Sequence, residues 1–119
     1  MRRLEEFIFN TLGPVVAGRV HPVVIPQEAT YPCIRYATIT AIPENSTCGS
    51  SGLVRSNFQI DCYAQDYAGV RALREQVITA MQSFPLECVL LNEGELFESE
   101  PKLFRRMLNY SAAEQEGAP

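Results

Sequence analysis

Between Asn57 and Phe84 the hydrophobic period of the chain changes in mid-run, and this constrains the fold more than any other feature. Phe58, Ile60 and Cys62 alternate with Asn57, Gln59 and Asp61, the period of a strand with one buried face. After Asp66 the apolar residues fall at Val70, Leu73, Val77, Ala80, Met81 and Phe84, the period of an amphipathic helix. A strand that runs so directly into a helix must lay that helix back on its own sheet. The pattern predicts a strand over residues 53–64, an N-cap at Asp66 and a helix over 67–83.

The rest of the chain adds to this unit. Leu4, Phe7, Ile8 and Leu12 mark a helical face over residues 2–12, and Gly13-Pro14 is expected to stop it, with Gly13 suited to a left-handed cap. Residues 20–25 are apolar but carry Pro22 and end at Pro26, which reads as an edge strand or extended arm. A strand over 31–42 is predicted to pair antiparallel with 53–64. Either of its faces is apolar enough to point inward: Ile34, Tyr36, Thr38, Thr40 and Ile42, or Cys33, Arg35, Ala37, Ile39 and Ala41. Residues 43–52 read as a long polar loop. A short strand is expected over 87–91, a turn at Asn92-Glu93-Gly94, and further strands over 96–98 and 102–110. The sum is an α+β domain over residues 1–111, an antiparallel β-sheet with two α-helices packed on one face, followed by a flexible tail over 112–119.

At 119 residues one domain is expected, with a core that needs no staples. The net charge of −4 and pI near 5.0 argue against a general nucleic-acid binder, which shows a basic face. No apolar run approaches the roughly 18 residues of a membrane span, and the start of the chain is not expected to act as a signal peptide. Cys33, Cys48, Cys62 and Cys88 form no close pair, so they are read as small buried hydrophobes rather than as a zinc or redox motif.

A search for chemistry finds little. His21 is the only histidine and nothing links it to a nucleophile. Glu93, Glu95, Glu98 and Glu100 form an acidic patch that, with Asp61, would serve a metal-dependent hydrolase or nuclease; the plainer reading is a solvated face paired to Lys102, Arg105 and Arg106. No phosphate-cradling glycine loop is present. The cations are nine arginines and one lysine, a bias that leans towards protein assembly. The edge at 20–25 offers an alternative, a module that binds a partner strand.

The order of residues carries a resemblance. A helix is followed by Gly18-Arg19-Val20-His21-Pro22, Pro26-Gln27, Tyr31-Pro32-Cys33-Ile34-Arg35-Tyr36, a polar loop, Gln59-Ile60-Asp61-Cys62-Tyr63-Ala64, Tyr67-Ala68-Gly69-Val70-Arg71-Ala72-Leu73 and finally Phe104-Arg105-Arg106-Met107-Leu108-Asn109-Tyr110. Over residues 4–111 this is similar to the tail-completion or tail-terminator proteins of long-tailed phages and prophages. The resemblance implies a non-enzymatic protein without cofactor or metal, in the virion tail and in the host cytoplasm during assembly. It implies a ring, commonly a hexamer, at the end of the tail tube, which stops tube growth and offers a surface to the head connector. Its partners would be further copies of itself, the tail-tube protein and the head–tail connector, with no membrane and no specific nucleic acid. Interface candidates that follow are Glu44, Asn45, Ser46, Thr47, Ser50 and Ser51 in the loop, together with Arg35, Arg55, Arg105 and Arg106.

Overall fold

The computed structural model describes residues 3–46, 49–98 and 102–115. Helix α1 (Arg3–Leu12) runs into a single 3-10 turn (Gly13–Val16). Strand β1 (Val20–Pro22) follows, then β2 (Cys33–Ser46), β3 (Gly49–Ala64), helix α2 (Tyr67–Met81), β4 (Cys88–Glu98) and β5 (Leu103–Gln115). The strands form one sheet in the order β1-β2-β3-β5-β4. All neighbours are antiparallel except β1 and β2, which are parallel, so the sheet is mixed rather than wholly antiparallel.

The α+β class and the helix-backed sheet are as the periodicity predicts. Leu4, Ile8 and Leu12 of α1 and Val70, Leu73, Val77 and Met81 of α2 are buried in one core with Ile34, Phe58, Ile60, Cys62 and Leu108 of the sheet. Both helices therefore cover the same face. Phe58 lies at its centre, 5.8 Å from the Tyr110 ring and 6.0 Å from Phe84. Asp66 caps α2 by accepting the Gly69 N–H, as its position before the apolar run suggests. The helix ends at Met81, two residues before the predicted end, where Gln82 and Ser83 make tight turns to Thr79 and Ala80.

Four expectations are corrected. The left-handed step after α1 falls at Ala17 (φ 52°) and Gly18 (φ 83°), not at Gly13, because the 3-10 turn carries the chain on by one turn first. Residues 43–52 are not a long loop: β2 continues to Ser46 and β3 starts at Gly49, so most of the stretch is a paired hairpin arm. Asn92-Glu93-Gly94 is no turn but the middle of β4, whose register against β5 shifts once, at Leu91. The end of the chain is not frayed from 112 on, since β5 reaches Gln115 opposite Leu53; residues 116–119 lie outside the described residues. The Ser99-Glu100-Pro101 connection also lies outside them.

The question of which face of β2 points inward has a two-part answer. Ile34 and Tyr36 face the core. Register then shifts between Thr38 and Thr40, and Thr40 pairs with Asn57 on the opposite face. One extra residue reverses the alternation, which is why both faces read as partly apolar.

The parallel pairing of β1 with β2 has a structural consequence. To re-enter the sheet in the same direction, the chain must travel back along one face. The helices occupy one side, so residues 23–32 cross the other, where Ile25, Ala29 and Tyr31 pack on Cys33, Tyr63 and Leu103. This strap covers one end of an otherwise open sheet face.

Candidate functional site: the open face and the far edge of the sheet

Under the strap lies a charge cluster built by register. Arg35 on β2 is directly opposite Asp61 on β3, and Arg105 on β5 is opposite Tyr63, two residues along the same face. Asp61 is fully buried. Its Oδ2 accepts from Arg35 Nε at 2.8 Å, from Arg35 Nη2, and from Arg105 Nη2 at 3.1 Å, while Oδ1 accepts from Gln59 Nε2 at 2.8 Å. A buried carboxylate persists only when paired in this way. Two guanidiniums share one carboxylate, so the cluster retains one positive charge. Arg105 also lies over the Tyr63 ring at 5.7 Å, and its Nε finds no acceptor among the described residues.

Arg35 has a second task. Its Nη1 donates to the Val23 carbonyl at 2.7 Å, and the Val23 N–H donates to Tyr36 O at 2.8 Å. Val23 is a β-branched residue at φ 61°, a conformation it holds only under such constraint. Beside it a groove of about 430 Å³ opens between strap and sheet, lined by Val24, Ile25, Tyr31, Arg35, Tyr63 and Leu103 among others. Val24, at the rim, is 70% exposed.

A second cluster sits on the helix side. Arg106 (β5) and Arg74 (α2) converge on Glu93 (β4): Arg74 Nη2 donates to Oε2 at 2.6 Å and Arg106 Nη2 to Oε1 at 2.8 Å. Arg106 also donates to Glu95 and Arg74 to Glu75. These bonds, that from Arg74 foremost, hold the Glu93 carboxyl down at about 2. The Arg74 and Arg106 guanidiniums are pushed up in turn by their bonds to Glu93. Three carboxylates meet two guanidiniums, so this cluster retains one negative charge.

The residues singled out by sequence are thus sorted. Arg35 and Arg105 come together on Asp61. Arg55 is exposed on the same face, six positions along β3, about 20 Å away at strand spacing. Arg106 faces the helices instead. Glu44, Asn45, Ser46, Ser50 and Ser51 lie on the paired hairpin arm rather than in a loop, and Thr47 lies outside the described residues. Glu100 lies outside them as well. Asp61 and the Glu93–Glu95 pair, which a metal site would need to unite, are on opposite faces, and no group of three or more His, Cys, Asp or Glu converges among the described residues. His21 lies in β1 level with Arg35, with a buried Nε2 that has no partner among the described residues. The strand-binding alternative would use an edge of three residues that includes Pro22, a poor template for ladder bonds. Cys33 and Cys62 are buried, and burial pushes their thiols up to about 11 and about 12. Sequence reading missed the role of β4 as a full edge strand. It carries Val89, Leu91, Leu96 and Phe97, half of the exposed large apolar residues among those described. The signal was available: Glu93 and Glu95 alternate with Gly94 and Leu96 straight through the supposed turn.

Fold and surface together define a class: a small α+β domain with two internally paired charge clusters, whose sheet leaves a groove and an apolar edge uncovered. The same fold occurs in a solved chain described as "Virion of native gene transfer agent (GTA) particle", with a TM-score of 0.65, 15% sequence identity, and coverage of 86% of this chain and 82% of that one. No curated protein matches the sequence. Residues 10–115 match the family described as tail completion protein gp17, and the chain belongs to that family. With membership comes a role in phage tail assembly.

Proposed function

We propose that this protein is a non-enzymatic component of the virion tail that assembles as a ring on the end of the tail tube. There it stops further polymerisation and presents a surface to the head connector. Its partners are other copies of itself, the tail-tube protein and the connector; a sixfold ring is the expected size. The observation that carries the reading is the match of almost the whole chain to the tail completion family. The form of the domain supports it. The domain presents unlike surfaces, a strapped groove on the open face and a β4 edge with exposed Val89, Leu91, Leu96 and Phe97. Unlike surfaces suit head-to-tail contacts, which close into rings when the rotation per subunit permits. The charge clusters act structurally in this reading, since their hydrogen-bonding groups are largely engaged with each other.

Native mass spectrometry and negative-stain electron microscopy test it, with the protein alone at high concentration and with purified tail tubes. Rings, or caps on tube ends that block further growth, are the expected result. Protein that neither oligomerises nor binds tube ends in either condition rules the proposal out.

A further inference from the structure

The strap begins where local preference favours more strand. Val23, Val24 and Ile25 follow β1 and are all β-branched, yet β1 stops at Pro22. The ladder itself runs one bond further: Ile34 N–H donates to Arg19 O and Val23 N–H to Tyr36 O, alternate bonds of a parallel pair. At Val23 the chain then leaves the sheet. Val24 N–H donates to Pro22 O at 2.6 Å around a centre at φ 61°, the rare and strained hand of the γ-turn. The turn leaves Val23 59% and Val24 70% exposed.

Two donors compete for the Val23 carbonyl. In a continued parallel ladder it accepts from the Thr38 N–H, the next outward-pointing amide of β2 after Ile34 and Tyr36. Here it accepts from Arg35 Nη1 at 2.7 Å instead. The outer edge of β2 has room for the longer ladder, since β1 pairs only with Ile34, Arg35 and Tyr36 while β2 runs on to Ser46.

We infer that the strap is a two-state element built on this competition. In the first state Arg35 holds Val23 in the γ-turn, and residues 23–25 wall the groove. In the second, Val23 relaxes to extended backbone and β1 grows to Ile25 along β2, with Thr38 in place of Arg35 at the Val23 carbonyl. Backbone strain and two exposed valines weigh against the first state. The Arg35 bond and the packing of Ile25 on Cys33, Tyr63 and Leu103 weigh against the second. The chain is long enough for both. Ile25 at the end of a longer β1 stands roughly 20 Å along β2 from Cys33, and the intervening segment reaches roughly 26 Å when extended. The second state draws Ile25 away from Cys33, opens the groove, turns a free Arg35 donor towards it and covers the β2 edge beyond Tyr36. The strap thus sets which of two surfaces this side of the domain shows, and it does so whether or not the domain forms rings.

Two exposed positions bias the element in opposite directions. Val23→Gly removes the penalty of a positive φ and favours the first state. Val24→Pro removes the N–H that closes the turn and pushes Val23 to extended backbone, while position 24, like Pro22, turns its nitrogen away from β2. Alkylation and amide exchange of the whole chain read the outcome. In Val24→Pro, Cys33 should alkylate about tenfold faster than in wild type and the Thr38 amide exchange about tenfold more slowly. In Val23→Gly, Cys33 should alkylate about tenfold more slowly. Cys62, buried in the core under the helices, should keep the wild-type rate in both and report an intact fold. Unchanged Thr38 exchange in a folded Val24→Pro overturns the inference, even where Cys33 reacts faster, because the strap then merely detaches. Where Val24→Pro also speeds Cys62, Val23→Gly decides alone: slower Cys33 alkylation supports the two states, and an unchanged rate overturns them.

Discussion

At the residue scale the molecule is governed by a few buried groups with no alternative partner. Asp61 has no exposure and three donors from two guanidiniums, so Asp61→Ala leaves Arg35 and Arg105 facing each other beneath the strap. We expect a loss of about 2–4 kcal/mol in urea unfolding, against less for Asp61→Asn, which keeps an acceptor. Glu93 gives a pH signature. Its carboxyl is held at about 2 against an ordinary 4.5, so its contribution is present in full above about pH 5 and lost as pH falls towards 2. Because Glu93 is partly solvated, the contribution is about 1–2 kcal/mol. Thermal melts between pH 6 and 2.5 should show Glu93→Gln less stable at neutral pH and converging on wild type in acid. Cys33 and Cys62 make a third prediction. With thiols raised by burial, they should alkylate at pH 8 about a hundredfold more slowly than after unfolding, as read by site-resolved mass spectrometry.

At the element scale, α2 shows how a local rule can reverse. Ala in place of Gly normally gains about 1 kcal/mol within a helix. At Gly69 a Cβ would come within 2.6 Å of Asp66 Oδ1, the atom that caps the helix. Gly69→Ala should therefore displace the cap, worth about 1 kcal/mol, and come out near neutral. In an Asp66→Ala background the same change should stabilise by about 1 kcal/mol, and the double-mutant cycle checks this directly. The elements that sequence periodicity finds, α1, α2 and the paired centres of β2 and β3, are those with one clean buried face. It misjudges the hairpin arm and β4 for a common reason. Pro43 to Ser46 and Asn92 to Gly94 are made of turn-favouring residues, yet the arm is held by ladder bonds to its partner strand and β4 by its pairing along β5 from Cys88 to Glu98. Backbone pairing with a distant strand overrides local preference, and no window of sequence contains it.

At the scale of the whole molecule the hairpin arm sets the shape. The molecule measures 52 × 25 × 24 Å with a radius of gyration of 15.3 Å, above the roughly 13.5 Å of a compact chain this long. Small-angle scattering from the monomer should report this elongation, and a sphere-like profile would contradict it. The tail of β5 belongs to the body: Ala112 is buried opposite Ser56, so truncation after Ser111 should cost about 2 kcal/mol or more by chemical denaturation.

What the chain's own order of residues determined is the α+β class, the helix-backed sheet, the cap at Asp66 and the resemblance to tail completion proteins, because period and residue order are local properties. What only the tertiary structure decided is which charges meet. Arg35, Asp61 and Arg105 are up to 70 positions apart, and strand register alone sets them on one carboxylate while turning Arg106, the next residue, to the opposite face. The strap and its groove arise the same way, from a parallel pairing of β1 and β2 that no local pattern encodes.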